Sequence, residues 1–145
     1  MGSGALFLNS KGEVLIVNPT YKDYWEIPGG VVEKDESPLD ACIRECKEEL
    51  GLNIKPDKTR FLSVDYVSNT DDKGDRLMFI FLGGELSDQA ISDIKIQENE
   101  LSEFRFVTAE VAAQLLGDRL KKRVPETLKA IQNNVSLYLE NGVVR

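Results

Sequence analysis

The apolar positions of this chain fall into two periods, one of about two and one of about three and a half, and the alternation between them sets out the elements. Ala5–Leu8 and Glu13–Asn18 are short apolar runs flanking the polar turn Asn9-Ser10-Lys11-Gly12, which predicts a hairpin. Pro19 to Tyr24 reads as a loop, and Trp25-Glu26-Ile27 as a short strand stopped by Pro28-Gly29-Gly30. Thr59–Asn69 and Arg76–Glu85 are rich in β-branched and aromatic residues around a polar turn, Thr70 to Asp75, and predict a longer hairpin. Ser87–Asn99 is polar and reads as a loop, and Glu103–Val107 as a last central strand. Ala109–Leu116 and Arg119–Asn133 are helical in pattern, the second kinked or interrupted at Pro125. Ser136–Arg145 is a short strand or irregular. The order is strands, helix, strands, helix. It predicts an α/β fold, a mixed β-sheet sandwiched between helices, as one domain over residues 1–145.

The helix from Ser37 to Leu50 is the best-defined element. Ser37 suits the N-cap, Pro38 the first helical position, Asp40 completes a Ser-x-x-Asp capping box, and Gly51 is placed to end the helix in a left-handed conformation. At about 100° per residue from Arg44, the residues Leu39, Cys42, Ile43, Cys46 and Leu50 occupy an arc from about 160° to 260°, the buried face. Glu45, Glu48 and Glu49 fall between about 40° and 140°, with Ala41 in the same arc keeping it open. Like charges at this spacing disfavour a bare helix by roughly 0.2–0.5 kcal/mol per pair. An isolated pair of glutamates is ordinarily a solvated face. Here Lys47 points away and Arg44 lies at the edge, so the repulsion is only partly compensated, and a hard cation would remove it.

Composition narrows the chemistry. The chain carries 41% hydrophobic and 30% charged residues, as soluble globular domains do. The net charge of −7 is a poor match for nucleic acid, whose phosphates call for a basic surface. Histidine is absent, which excludes histidine acid–base catalysis and the common zinc sites. Cys42 and Cys46 sit one helical turn apart on the apolar arc and read as reduced, inert thiols. No run is long enough to span a bilayer and the opening residues do not resemble a signal peptide, so a cytoplasmic protein is expected. Met1-Gly2-Ser3-Gly4 looks like a vector scar or a trimmed start and is set aside from the functional reading.

Gly30, five residues, Glu36, seven residues, then Arg44-Glu45-Cys46-Lys47-Glu48-Glu49-Leu50-Gly51-Leu52 resembles the Nudix box, G-x5-E-x7-R-E-U-x-E-E-x-G-U, where U is bulky and aliphatic. Every fixed position matches except Cys46 at the first U, a small apolar residue on the buried face. The lead-in Trp25-Glu26-Ile27-Pro28-Gly29 also looks like the family's. The resemblance implies a Nudix-type α/β/α sandwich and a MutT-like pyrophosphohydrolase that cuts a nucleoside diphosphate linked to another moiety. It implies that Glu45, Glu48 and Glu49 hold Mg²⁺, with Mn²⁺ as substitute, and makes the Gly30 carbonyl a further ligand candidate. Arg44 would orient Glu45 and Glu36 would brace the loop against the helix. The metal would polarise the anhydride and activate a water. The base is either a box glutamate or one from the later loop with Glu98, Glu100 and Glu103; Glu100 is preferred for its place just before the strand around Phe106.

Substrate-selecting residues lie outside the box. Tyr24, Arg76 and Phe79 are the candidates, alongside Tyr21, Tyr66, Lys22 and Lys73, since aromatics stack on bases and cations meet phosphates. For each, core packing or surface solvation is the commoner role. Markers of the coenzyme A, ADP-ribose and dinucleoside polyphosphate branches are not found, which points toward a nucleoside triphosphate-type substrate, oxidised forms included. The alternative is a catalytically weak Nudix-like domain that binds a nucleotide metabolite as a regulator; the complete set of box carboxylates argues against it. The isomerase branch needs a cysteine outside the box helix, and there is none. A small-molecule partner is expected, with no stable nucleic-acid or membrane binding; a homodimer is expected by analogy.

Overall fold

An eight-stranded mixed sheet forms the middle layer in the computed structural model, which describes residues Met1–Arg145. The strands are β1 Gly2–Leu8, β2 Val14–Pro19, β3 Gly29–Val31, β4 Arg60–Val67, β5 Arg76–Glu85, β6 Leu101–Val107, β7 Leu137–Glu140 and β8 Val143–Val144. The helices are α1 Pro38–Leu50, α2 Asp88–Ser92, α3 Ala109–Leu115 and α4 Asp118–Asn133. The strand order is β6-β2-β1-β5-β4-β7-β8, with β3 also paired to β1. β1 runs parallel to β5 along its whole length but meets β2 only at Leu8–Val14. The two strands of the first hairpin diverge from there, and β3 pairs with the freed start of β1, Gly2–Gly4.

Alternation along the strands builds two cores. Leu6, Ile16 and Ile80 face α3 and α4 with Trp25, Ile27 and Val124. Ala5, Phe7, Leu15 and Phe81 face α1 and pack on Cys42, Cys46 and Leu50. Each fully buried Leu or Phe contributes about 1.5–3 kcal/mol, so α1 is held by its apolar arc rather than by helix propensity.

The structure changes several expectations. Met1–Gly4 is no appendage: Gly2, Ser3 and Gly4 are buried and form the start of the central strand β1. Trp25-Glu26-Ile27 forms only isolated bridges, Val17 to Glu26 and Trp25 to Leu116, and the strand there is Gly29–Val31 itself. The glycine pair therefore lies within the sheet instead of breaking it. The polar stretch Ser87–Asn99 contains a short helix, capped by the Ser87 side chain on the Ala90 amide. β6 is an edge strand and not central, with two further strands after it in the tail. α4 starts at Asp118 and continues through Pro125. The predicted caps of α1 are present: Ser37 accepts from the Asp40 amide and Gly51 has φ 69°. Both cysteines are free and buried, and hydrogen bonding to Cys42, then burial, pushes the Cys46 thiol well above its ordinary range.

Candidate active site

The strand β3 and the helix α1 form the site because two glycines let them approach. Gly29 has φ 153°, and a side chain there would collide with the Ser3 carbonyl of β1. A side chain on Gly30 would fall on the Glu45 carboxylate. Glycine at both positions is thus a packing requirement: the first lets β3 lie on β1, the second leaves room for a carboxylate against the strand. Ser3 adds a tie from β1 to the helix start, its Oγ donating to the Pro38 carbonyl at 2.6 Å.

Arg44 organises the acidic side chains. Its guanidinium donates to both carboxylate oxygens of Glu36, at 2.7 and 3.0 Å, to Glu45 at 2.9 Å and to Glu48 at 3.4 Å. It also donates to the Val31 carbonyl at 3.2 Å, and Glu33 lies 3.9 Å away. Glu36 in turn accepts from the Glu33 amide at 3.0 Å, closing the loop before α1. Arg44, then the Glu33 amide, hold the Glu36 carboxyl down to about 2. The sequence placed Arg44 at the margin of a half-compensated cluster; it is the hub of four carboxylates, because its stem follows the helix and its head turns back along β3.

Glu49 is the exception. It is 7% exposed and has no arginine partner. Burial first, then the charge of Glu45, push its carboxyl up to about 8, with Glu26 and Glu100 adding and the Gly29 amide opposing. Glu45 is raised as well, by burial against the pull of Arg44. Glu48 is half exposed, at 51% of its side chain. The acidic face is therefore not one solvated stripe: it grades from Glu48 at the surface to Glu49 inside, and Ala41, fully buried, closes it instead of keeping it open.

No three carboxylates converge into a ready-made cage. Arg44 draws Glu45 and Glu48 toward itself, and Glu49 stands apart. The donor set nonetheless fits Mg²⁺: hard oxygens, few of them, and a buried and a half-buried carboxyl, Glu49 and Glu45, whose mutual repulsion a divalent ion would relieve. Glu100 reaches this group from the other side. Its backbone carbonyl accepts from the Thr20 amide at 2.8 Å, and its exposed carboxylate raises the pKa of both Glu45 and Glu49. Glu103 is instead turned to Arg105, at 3.0 Å.

A cleft of about 1060 Å³ opens beside Gly29, Gly30 and Val31 on the α3–α4 side of the sheet. Tyr24, Arg76 and Phe79 all border it. Tyr24 is 43% exposed and has Lys22 5.5 Å from its ring centre. Arg76 is engaged by Asp71. The Phe79 ring packs into the core beneath α1, 6.4 Å from Phe61; its neighbour Met78 turns to the cleft face, over Gly2. Met78, Glu26, Asp71 and Arg119 were missed as lining residues. The alternation of β5 could have shown Met78; nothing local in the sequence marks the other three.

The match to known proteins decides the family. The model of the NUDIX domain matches residues 1–128. The chain belongs to the Nudix family. An uncharacterized Nudix hydrolase of Pseudomonas aeruginosa is 30% identical over 149 residues, covering 96% of this chain and 77% of that protein. The yeast (Saccharomyces cerevisiae) mRNA-decapping enzyme subunit 2 is 42% identical over 50 residues, 34% of this chain, and the chain spans only 5% of its length. The MutT protein of Methanosarcina mazei has the same fold, with a TM-score of 0.67 at 22% identity over 92% of both chains. The expected α/β/α arrangement with a mixed sheet is thus that of Nudix proteins, and the box residues are the ones that build the carboxylate site. No helix is long and apolar enough to cross a membrane.

Proposed function

We propose that this Nudix protein hydrolyses a phosphoanhydride bond in a nucleoside diphosphate linked to another moiety, with a nucleoside triphosphate-type nucleotide as the substrate class and Mg²⁺ as cofactor. One observation carries the reading. Buried Glu49 and half-buried Glu45 lie beside a glycine strand at the edge of a nucleotide-sized cleft, with no cation of the chain placed to neutralise Glu49. Burying carboxylates without a partner costs several kcal/mol, and a divalent ion shared with substrate phosphates relieves that cost.

Glu45, Glu48 and Glu49 would hold the ion, with the Gly30 carbonyl as a further donor. When bound, Mg²⁺ supplies Lewis-acid polarisation of the anhydride and lowers the pKa of water. The chain's own groups do the rest. Arg44 fixes the Glu45 carboxylate through a charge-assisted bond and opposes the rise in its pKa that burial imposes. Glu36 fixes Arg44 from the other side through a two-point contact. Glu100, exposed and close enough for its charge to act on Glu45 and Glu49, would accept the proton of the attacking water. Tyr24 offers a face for a base at the cleft mouth. Incubating the protein with a panel of nucleoside triphosphates and nucleoside diphosphate derivatives, with Mg²⁺ and with EDTA, tests this. Metal-dependent release of phosphate or pyrophosphate is expected; tight nucleotide binding without release would instead establish a regulatory binding domain.

A further inference from the structure

The end of the cleft away from the carboxylates is basic, and one side chain of the protein lies across it. Asp71, on the turn between β4 and β5, is held by Arg76 from β5 through two contacts of 3.1 and 3.3 Å. Arg119, from the first turn of α4, reaches the same carboxylate at 3.1 Å. The two arginines belong to opposite walls of the cleft, and only this carboxylate joins them. Lys73 and Lys121 border the same end, so four cations face two carboxylates, Asp71 and Asp118. Arg123 is excluded from that balance because buried Asp65 holds it at 2.7 Å. A second cavity of about 430 Å³ opens on the far side of Arg119, lined also by Lys121 and Lys122.

A carboxylate held by one guanidinium fork, Arg76, and by a single N–H of a second guanidinium, Arg119, occupies the place of a planar or tetrahedral oxyanion, since the same donors serve carboxylate and phosphate. Asp71 and Arg119 are partly exposed and the turn carries no buried residue, so no core packing opposes exchange of this carboxylate for another anion. We infer that Arg76 and Arg119 form an oxyanion subsite, occupied by Asp71 in the free protein, that receives a second anionic group of the substrate, a phosphate monoester. The inference rests on the proposed hydrolase reading only for the word substrate. Met78 pairs with Gly2 and Gly2 with Val31, so strand spacing and rise put Arg76 roughly 14 Å from Gly30. That separation exceeds one pyrophosphate group. In this reading the anion at the arginines is a phosphate other than the two joined by the anhydride, carried elsewhere on the nucleoside diphosphate derivative.

Two measurements test this. The first needs no catalysis and no metal: titration of the whole protein with inorganic phosphate in EDTA, followed calorimetrically. Asp71→Asn frees the arginines and is expected to tighten phosphate binding about tenfold, and Arg119→Ala in the Asp71→Asn background to remove the gain. Unchanged phosphate affinity in Asp71→Asn, or a gain that survives Arg119→Ala, would overturn the subsite. The second compares kcat/KM for pairs that differ by one phosphate monoester, NADPH with NADH and coenzyme A with dephospho-coenzyme A. Arg119→Ala is expected to lower the ratio of phosphorylated to unphosphorylated member at least fivefold, through KM. A ratio unmoved by Arg119→Ala in a pair that is turned over contradicts the proposal. Absence of turnover with an intact phosphate titration would defeat the hydrolase reading alone.

Discussion

Replacing Glu49 by Gln should make the metal-free protein more stable, and by an amount that grows with pH. In the fold, burial and Glu45 raise this carboxyl from an ordinary 4.5 to about 8. Between those two values the folded state holds a proton that the unfolded chain has released. Stability therefore falls as pH rises through the window, at up to about 1.4 kcal/mol per unit. Summed over the window, the loss is about 4 kcal/mol, of which about 3 kcal/mol is already present at pH 7. Glu45 is raised too, so the two titrate as a pair and the slope is shared between them. Glu36 and Asp71, both held down to about 2, act in the opposite sense and only below pH 4.5, outside the window. Urea unfolding in EDTA from pH 4.5 to 8.5, followed by the fluorescence of buried Trp25, reads the difference directly. Wild type and Glu49→Gln should coincide at the acidic end and separate steadily up to pH 8. Saturating Mg²⁺ should close the gap in wild type alone, with an apparent affinity that rises up to about tenfold per pH unit until pH 8. Parallel stability curves at all pH values would refute the argument that an uncompensated buried carboxyl sits at this site.

The other predictions concern the same neighbourhood and its support. Glu48→Gln should leave stability unchanged or slightly raised, since it removes like-charge repulsion, yet lower turnover by about a hundredfold or more; steady-state kinetics beside a urea curve separates the two. Gly30→Ala places a methyl group on the Glu45 carboxylate, and should abolish the Mg²⁺-induced rise in melting temperature while the circular dichroism spectrum stays that of the wild type. Arg123→Ala leaves Asp65, 1% exposed on its side chain, buried without its cation, and should cost about 3–5 kcal/mol in urea unfolding; only the Gly142 amide, at 3.0 Å, remains as its charge-stabilising donor.

What the sequence revealed and what it hid follow from the range of the forces involved. α1 was legible to the residue because its signals are local: a serine cap, a proline at the first position, a glycine at the end and an apolar arc of 3.6-residue period. The box spacing located Glu36, Arg44 and Glu45 together, and the structure brings them into contact. The start of β1 was hidden because Gly2, Ser3 and Gly4 present no apolar side chain to form a period, although a Cβ at Gly2 would strike Met78 and one at Gly4 the Pro28 carbonyl. The Glu48-to-Glu49 gradient was hidden because helical angle alone does not say where the neighbouring strand lies. The Asp71–Arg119 contact joins residues 48 apart along the chain, and no local pattern records such a pairing. The position of β6 at the sheet edge is likewise a matter of pairing order, since β6 pairs with β2 alone.

Crystals grown with Mn²⁺ and measured at a wavelength where manganese scatters anomalously would probe the carboxylate site most directly. An anomalous peak within coordinating distance of the Glu45 and Glu49 carboxylates, beside Gly30, is expected, with Arg44 still bound to Glu36. A peak elsewhere, or an empty site in crystals grown at pH 8.5, would contradict the assignment of Glu45 and Glu49 to a divalent ion.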